Sequence, residues 1–283
     1  MKVLNASSLE TDMVAFLKSH EDTSLFLLGN YESYGTKLGP SFLSGNYKLI
    51  LDEGKIVAVF SLTKMGNLLV QSDVSETIFQ EILKSCKEEE IPIKGLIGPW
   101  NVCEPFWDLL KREMIIQKET YGKKDILYTY EPREEENLSP HIRLLTKENL
   151  SEWLPMRFAY IKEEGFPGGM TKEELSAYFL EKVEKKIVWG YFVDDTLVGI
   201  ADLNAKAFDL GQVGGVYTLP AHRRKGYSKA IMRHLFHDCK KIHAIRKLII
   251  FTGVDNLPAR TVYESIGCEK ADYFALFFGE GSQ

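Results

Sequence analysis

The sequence predicts an α/β chain: a mixed, mostly antiparallel sheet flanked by helices, arranged as two tandem related domains. Three observations lead there. Segments with apolar residues on one helical face alternate with short runs rich in β-branched and aromatic residues, which read as strands. Several of these runs are joined by tight Asp- or Gly-bearing turns, as at Asp52-Glu53-Gly54 and Asp194-Asp195, which makes hairpins of them. The order of elements in the first half also recurs in the second, on the far side of the acidic, proline-bounded stretch 131–140.

Taken in order, Leu9 to His20 reads as a helix with Met13, Phe16 and Leu17 on one face. A short apolar run, Leu25 to Leu28, precedes a segment from Tyr31 to Asn46 rich in Gly, Ser and Tyr, which reads as loop. Tyr47–Leu51 and Ile56–Leu62 form a hairpin, and Leu68–Gln71 a third strand. Ser75 to Glu90 is an amphipathic helix carrying Ile78, Phe79, Ile82, Leu83 and Cys86 on one side. A strand at Lys94–Ile97, a helix over Val102–Arg112 and strands at Met114–Ile116 and Asp125–Tyr130 close the first half.

The linker divides the chain into a domain over 1–130 and another over 141–283. The second begins with a strand at His141–Leu145 and a helix from Lys147 to Lys162. After the loop Glu164 to Gly169 come a helix at Thr171–Lys185 and a hairpin of Ile187–Val193 with Leu197–Leu203. A strand from Leu210 then runs into the stretch that carries most of the chemistry.

Composition narrows the function classes. Hydrophobic content of 45% and charged content of 27% are ordinary globular values. A net charge of -5 speaks against a broad nucleic-acid surface, which needs a basic face. The cysteines Cys86, Cys103, Cys239 and Cys268 are scattered without metal-ligand spacing, so no metal is expected. With no signal-like N-terminus and no apolar run long enough to span a bilayer, a cytoplasmic location away from membranes is expected.

The stretch Val216 to Ala230, VYTLPAHRRKGYSKA, joins a strand end to a helix through a turn. Pro220 stops the strand, and Tyr227, Ala230, Ile231, Leu235, Phe236 and Cys239 share the face of the helix that follows. Such a turn leaves N–H groups at the helix start without partners, and these together with the helix dipole suit a phosphorylated ligand. Arg223, Arg224, Lys225 and Lys229 add positive charge around it in an otherwise acidic chain. Downstream, the strand Leu248–Phe251 leads into Asp255-Asn256-Leu257-Pro258, a helix start, with Ala259, Val262, Tyr263 and Ile266 on one face and Gly267 at its end. Asn256 and Tyr263 stand about two turns apart on a similar side.

Together these stretches resemble the GNAT superfamily of CoA-dependent N-acyltransferases. Its phosphate-loop pattern is met by Arg223-x-x-Gly226-x-Ser228, with Ser in a position usually Gly or Ala. Its second pattern is met by Asn256, Ala259, Tyr263 and Gly267, with Cys268 in place of Phe. The resemblance implies acetyl-CoA as co-substrate and a small-molecule or peptide amine as acceptor. It implies that the backbone of Arg224, Lys225, Gly226, Tyr227, Ser228 and Lys229, with Arg223 alongside, holds the pyrophosphate. Val216, Tyr217 and Thr218 would pair with the pantetheine arm on a strand that splays from its neighbour, Asn256 would contact that arm, and Tyr263 would protonate the leaving thiolate.

The first half is expected to be a degenerate copy of the same fold, because Gln71-Ser72-Asp73-Val74-Ser75 stands where the phosphate loop would lie and offers an acid and no glycine. The general base is not legible; Glu163, Glu164, Asp202, Asp209 and Tyr217 are the candidates near the expected cleft. His222 beside the loop suits phosphate or solvent rather than base catalysis. Gly165–Gly169 is a candidate acceptor lid, and Trp153, Tyr160, Tyr178 and Phe179 either line an acceptor pocket or belong to the core. Transfer of another acyl or aminoacyl group, or CoA binding without turnover, stand as the alternatives.

Overall fold

A computed structural model describes residues 1–165 and 170–281. The chain forms two compact units, Met1–Leu127 with Ala271–Gln283, and Tyr128–Lys270.

The first unit runs β1 (Lys2–Asn5), α1 (Glu10–Ser19), α2 (Glu21–Tyr34), β2 (Gly45–Asp52), β3 (Lys55–Thr63), β4 (Asn67–Ser72), α3 (Glu76–Lys87), β5 (Gly95–Pro99), α4 (Trp100–Arg112) and β6 (Lys118–Tyr130). The rest of the chain repeats that order with β7 (Ile142–Leu144), α5 (Leu150–Glu164), α6 (Lys172–Glu184), β8 (Val188–Val193), β9 (Thr196–Ala207), β10 (Leu210–Thr218), α7 (Tyr227–Lys241), β11 (Lys247–Gly253) and α8 (Leu257–Ser265) in the second unit, followed by β12 (Glu269–Glu280), most of which returns to the first. In both, a strand and two helices precede three antiparallel strands, and a helical crossover then makes one parallel pair. That pair is β4 with β5 in the first unit and β10 with β11 in the second. The mixed, mostly antiparallel sheet flanked by helices is thus present twice.

The residues dictate this arrangement. Strand β3 is buried from Ala58 to Thr63, a mainly apolar run interrupted by Ser61, and burial of successive residues means that the sheet is covered on both faces. Phe60, Leu62 and Val70 pack with α3 and α4, where Phe79 and Phe106 stack at 4.7 Å. In the second unit Trp153, Leu175 and Phe179 of α5 and α6 pack on Val188, Ile200 and Tyr217.

Four local expectations change. Residues 21–34 form helix α2, although the expectation was a short apolar run entering a loop; its buried positions Ser24, Leu25, Leu27, Leu28 and Gly29 lack clean helical periodicity because Gly and Ser share the covered face. Met114–Ile116 is no strand: the chain turns there with Met114 at φ 57° after α4. Strand β6 starts at Lys118, earlier than Asp125, and β1 is an additional edge strand paired with β2. Residues 131–140 carry neither helix nor strand.

The expected second domain and the compact units differ at the end of the chain. Residues 271–283 group with the first unit because β12 hydrogen-bonds to β5 from Phe274–Pro99 to Phe278–Gly95. Apolar burial drives this placement: Phe277 stacks on Trp107 at 5.2 Å, and Phe274 lies 5.9 Å from Phe26.

Candidate active site

The site is built where β10 leaves its parallel neighbour. The pairing of β10 with β11 runs from Leu210–Lys247 to Val213–Ile250, while β10 itself continues to Thr218. On its other edge β10 carries one extra residue relative to β9 between Gly214 and Tyr217. Gly215 there has φ +59°, and a Cβ would run into Arg157 and come within 2.6 Å of an Asp202 carboxylate oxygen. Such a bulge bends its strand and sharpens its twist. Val216, Tyr217 and Thr218 therefore follow the bulge on a strand that has parted from β11.

The loop after β10 spans residues 219–226, beginning with a 3-10 turn at Pro220–His222. Arg224 has φ 62° and Gly226 φ 80°, after an extended Arg223 and just before α7 begins. Among the described residues, no protein acceptor takes the N–H groups of Arg224, Lys225, Gly226, Tyr227, Ser228 or Lys229; the next, Ala230, donates to the Gly226 carbonyl at 3.0 Å. Six consecutive free donors at a helix N-terminus, in an exposed basic loop, fit a pyrophosphate. In the first unit only residues 73–75 separate β4 from α3, and the Asp73 amide is bonded to the Val57 carbonyl at 2.9 Å. No comparable cradle forms there.

Side chains brace the loop. Thr218 Oγ1 and Ser228 Oγ are 2.9 Å apart, which explains a hydroxyl in a small-residue position. Arg223 donates through Nε to the Thr218 carbonyl at 3.0 Å and through Nη2 to both Glu163 oxygens at 2.8 Å. Tyr217 donates to Glu163 at 3.3 Å. Burial and the Glu163 charge push the Tyr217 phenol above its ordinary value. Tyr227 stacks on Tyr191 at 4.1 Å, and Lys229 Nζ reaches the Ser265 carbonyl at 3.3 Å, tying α7 to α8.

Helix α8 starts four residues after β11 ends. Asn256 caps it by accepting from the Ala259 amide at 3.2 Å. Tyr263 is buried, 5.9 Å from the Tyr128 ring in an edge-on contact, and Tyr128 donates to Glu264 at 2.6 Å.

Of the candidate bases, Asp202 is fully buried between Arg157 and Lys182, and Asp209 pairs with Arg246 at 2.8 Å. Both are committed to cations. Glu163 is engaged by Arg223. The candidate lid Gly165–Gly169 lies, after Gly165, outside the described residues. Trp153 and Phe179 are core, 4.8 Å apart. Tyr160 and Tyr178 instead flank the Arg157 guanidinium, at 5.0 and 5.4 Å.

The cluster of Arg157, Lys182 and Asp202 is what sequence reasoning missed. One signal was available: Lys182 falls in register with Leu175 and Phe179 on the covered face of α6. A lysine in an apolar stripe needs a buried anion.

Residues 148–268 match the sequence model of the acetyltransferase (GNAT) family. A Bacillus subtilis protein described as the uncharacterized N-acetyltransferase YsnE is 29% identical over 107 residues, covering 36% of this chain and 70% of that protein. Among solved structures, a Drosophila protein superposes with a TM-score of 0.69 at 12% identity, over 99% of this chain and 98% of the other. A GNAT-family acetyltransferase from Colwellia psychrerythraea gives 0.56 at 13%, over 99% and 100%. A tandem GNAT protein from the clavulanic acid biosynthesis pathway gives 0.54 at 11%, over 99% and 98%. At these identities the structural likenesses are ones of fold. Residues 148–268 are thus similar to the acetyltransferase (GNAT) family, and the chain as a whole has a fold like that of the tandem GNAT protein.

Proposed function

We propose that this protein transfers the acetyl group of acetyl-CoA to a primary amine of a small molecule or peptide, by direct attack in a ternary complex. The observation that carries the reading is the row of six free amides from Arg224 to Lys229, set beside a strand that has parted from β11. The amides take the pyrophosphate, and the backbone of Val216, Tyr217 and Thr218 pairs with the pantetheine amides as an added strand would. An N–H of the same strand faces the thioester oxygen, where one donor aimed at developing charge is worth about 3 kcal/mol.

The amine lone pair then forms the bond to the carbonyl carbon, the carbon–sulfur bond breaks, and the thiolate takes a proton from Tyr263. The ammonium proton leaves through water, since Asp202 and Asp209 are committed to cations. Asn256 caps the start of α8 and so fixes Tyr263 two turns on.

Calorimetry with acetyl-CoA on the wild type and on Gly226→Asp tests the reading. Binding of one equivalent that is lost in the variant supports it. Two equivalents would make the first unit functional. Absence of binding in a folded wild type would remove it, and binding without turnover over a broad amine panel would leave a CoA-binding module instead.

A further inference from the structure

Within the second unit, one carboxylate faces two cations. Lys182 Nζ donates to Asp202 Oδ1 at 3.2 Å and also to the Leu203 carbonyl, and it lies over the Tyr178 ring at 4.5 Å. Its needs are met. Arg157 is served far less well: its contact with Asp202 is long, Nη1 to Oδ2 at 3.5 Å, and its buried Nε has no acceptor among the described residues. Yet the side chain is only 11% exposed, held among the rings of Trp153, Tyr160 and Tyr178 at 5.9, 5.0 and 5.4 Å. The neighbouring acids do not balance the account, since Glu163 is gripped by Arg223 and Glu164 sits half-buried at the end of α5, where its charge acts on Tyr160.

A buried guanidinium with five donors and one long contact is costly unless an anion completes it. Its planar fork matches a carboxylate bidentately, and aromatic walls strengthen the pairing by excluding water. Location decides what that anion is. Arg157 lies against the backbone of Gly215, so closely that a Cβ there would collide with it. The next residue in β10 is Val216, where the pantetheine arm is assigned, and consecutive Cα atoms are about 3.8 Å apart.

We propose that the acceptor is an amine that also carries a carboxylate, and that Arg157 receives this carboxylate beside the bulge of β10. The inference rests on the acetyltransferase reading. Asp202 and Lys182 are positioning residues that hold the guanidinium against Gly215. The carboxylate takes no part in bond making; it orients the amine toward the thioester, and a neutral analogue would leave Arg157 with only its long contact to Asp202.

The test uses the full chain loaded with CoA. Binding of the common amino acids is compared by calorimetry with that of their carboxamides, and acetylation of each pair is followed in parallel with acetyl-CoA. The expected result is at least one amino acid favoured over its amide by about 100-fold, the weight of hydrogen bonds to a charged group. Arg157→Gln should reduce that preference below about tenfold while acetyl-CoA affinity stays within a few-fold. If Arg157→Gln loses its thermal transition, Arg157→Lys, which keeps the charge and loses the fork, must lower the preference at least tenfold. Dipeptides with free carboxyl ends show whether the carboxylate stands next to the amine or one residue away.

The proposal is overturned if no pair is discriminated in binding or turnover, or if the arginine variants keep the preference. Should acetyl-CoA fail to bind, the acetyltransferase reading falls, and carboxylate-dependent binding still decides the role of Arg157.

Discussion

The hydroxyls of Thr218 and Ser228 meet at 2.9 Å, joining the last residue of β10 to the first turn of α7 across the loop at residues 219–226. The bond holds two ends of the proposed donor site at a fixed spacing. A neutral hydrogen bond contributes about 1 kcal/mol, or about fivefold in an equilibrium constant. Ser228→Ala and Thr218→Val should each weaken acetyl-CoA binding by about that factor in calorimetry. The double variant should be no worse than either alone; additive losses would mean that the hydroxyls act separately.

Gly226 is required for its backbone. A Cβ at that position meets nothing within 4 Å, so substitution acts through φ +80° alone. Gly226→Ala should cost about 1–2 kcal/mol in unfolding stability, as a left-handed residue does. Gly226→Asn should cost less, because Asn tolerates this region. Equal losses would point to a steric cause.

Tyr263→Phe should lower kcat by about 100-fold or more, the usual weight of a positioned acid, with acetyl-CoA affinity unchanged. The phenyl ring keeps the contact with Tyr128, so the fold is retained. Equal turnover in the two proteins would remove the assigned role.

Asp202→Asn leaves Arg157 and Lys182 buried without their shared anion. Breaking a buried pair from one side costs about 3–5 kcal/mol, which urea unfolding of the second unit would show. Adding Lys182→Met should recover much of that loss. If it does not, Asp202 is holding the Gly215 bulge more than balancing charge.

His234 supplies a pH dependence. Burial lowers its pKa from 6.5, opposed by Asp238 at 3.7 Å and reinforced by His237. The unfolded state therefore binds its proton first, and the stability it contributes is present above about pH 6.5 and is lost as pH falls. His234→Gln should flatten the fall in unfolding midpoint between pH 7 and 5.5. An unchanged slope would assign that dependence to other groups.

How much of this was legible follows from the range over which each feature is determined. The phosphate loop could be read because Pro220, Gly226 and the amphipathic stripe after Tyr227 set the local backbone within a dozen residues. The cap at Asn256 and the end of α8 at Gly267 are equally local. Helix α2 was missed because its buried side mixes Ser24 and Gly29 with leucines, a pattern that only packing resolves. Arg157, Lys182 and Asp202 come from α5, α6 and β9, and their meeting depends on the fold. Asp202 and Glu163 are candidate bases by type and place, and only the fold shows that each is paired with a cation, Lys182 and Arg223.

The route of β12 has a consequence for synthesis on the ribosome. Its residues Phe274 to Phe278 complete the sheet at β5, although every other strand of the first unit is made before residue 131. An emerging first unit therefore waits with the β5 edge open until the whole second unit has been translated. Open edges template unwanted pairing, and contacts so distant in sequence form slowly. Cutting the chain at the linker would strand an unpaired β5 edge in one fragment and an orphan β12 in the other.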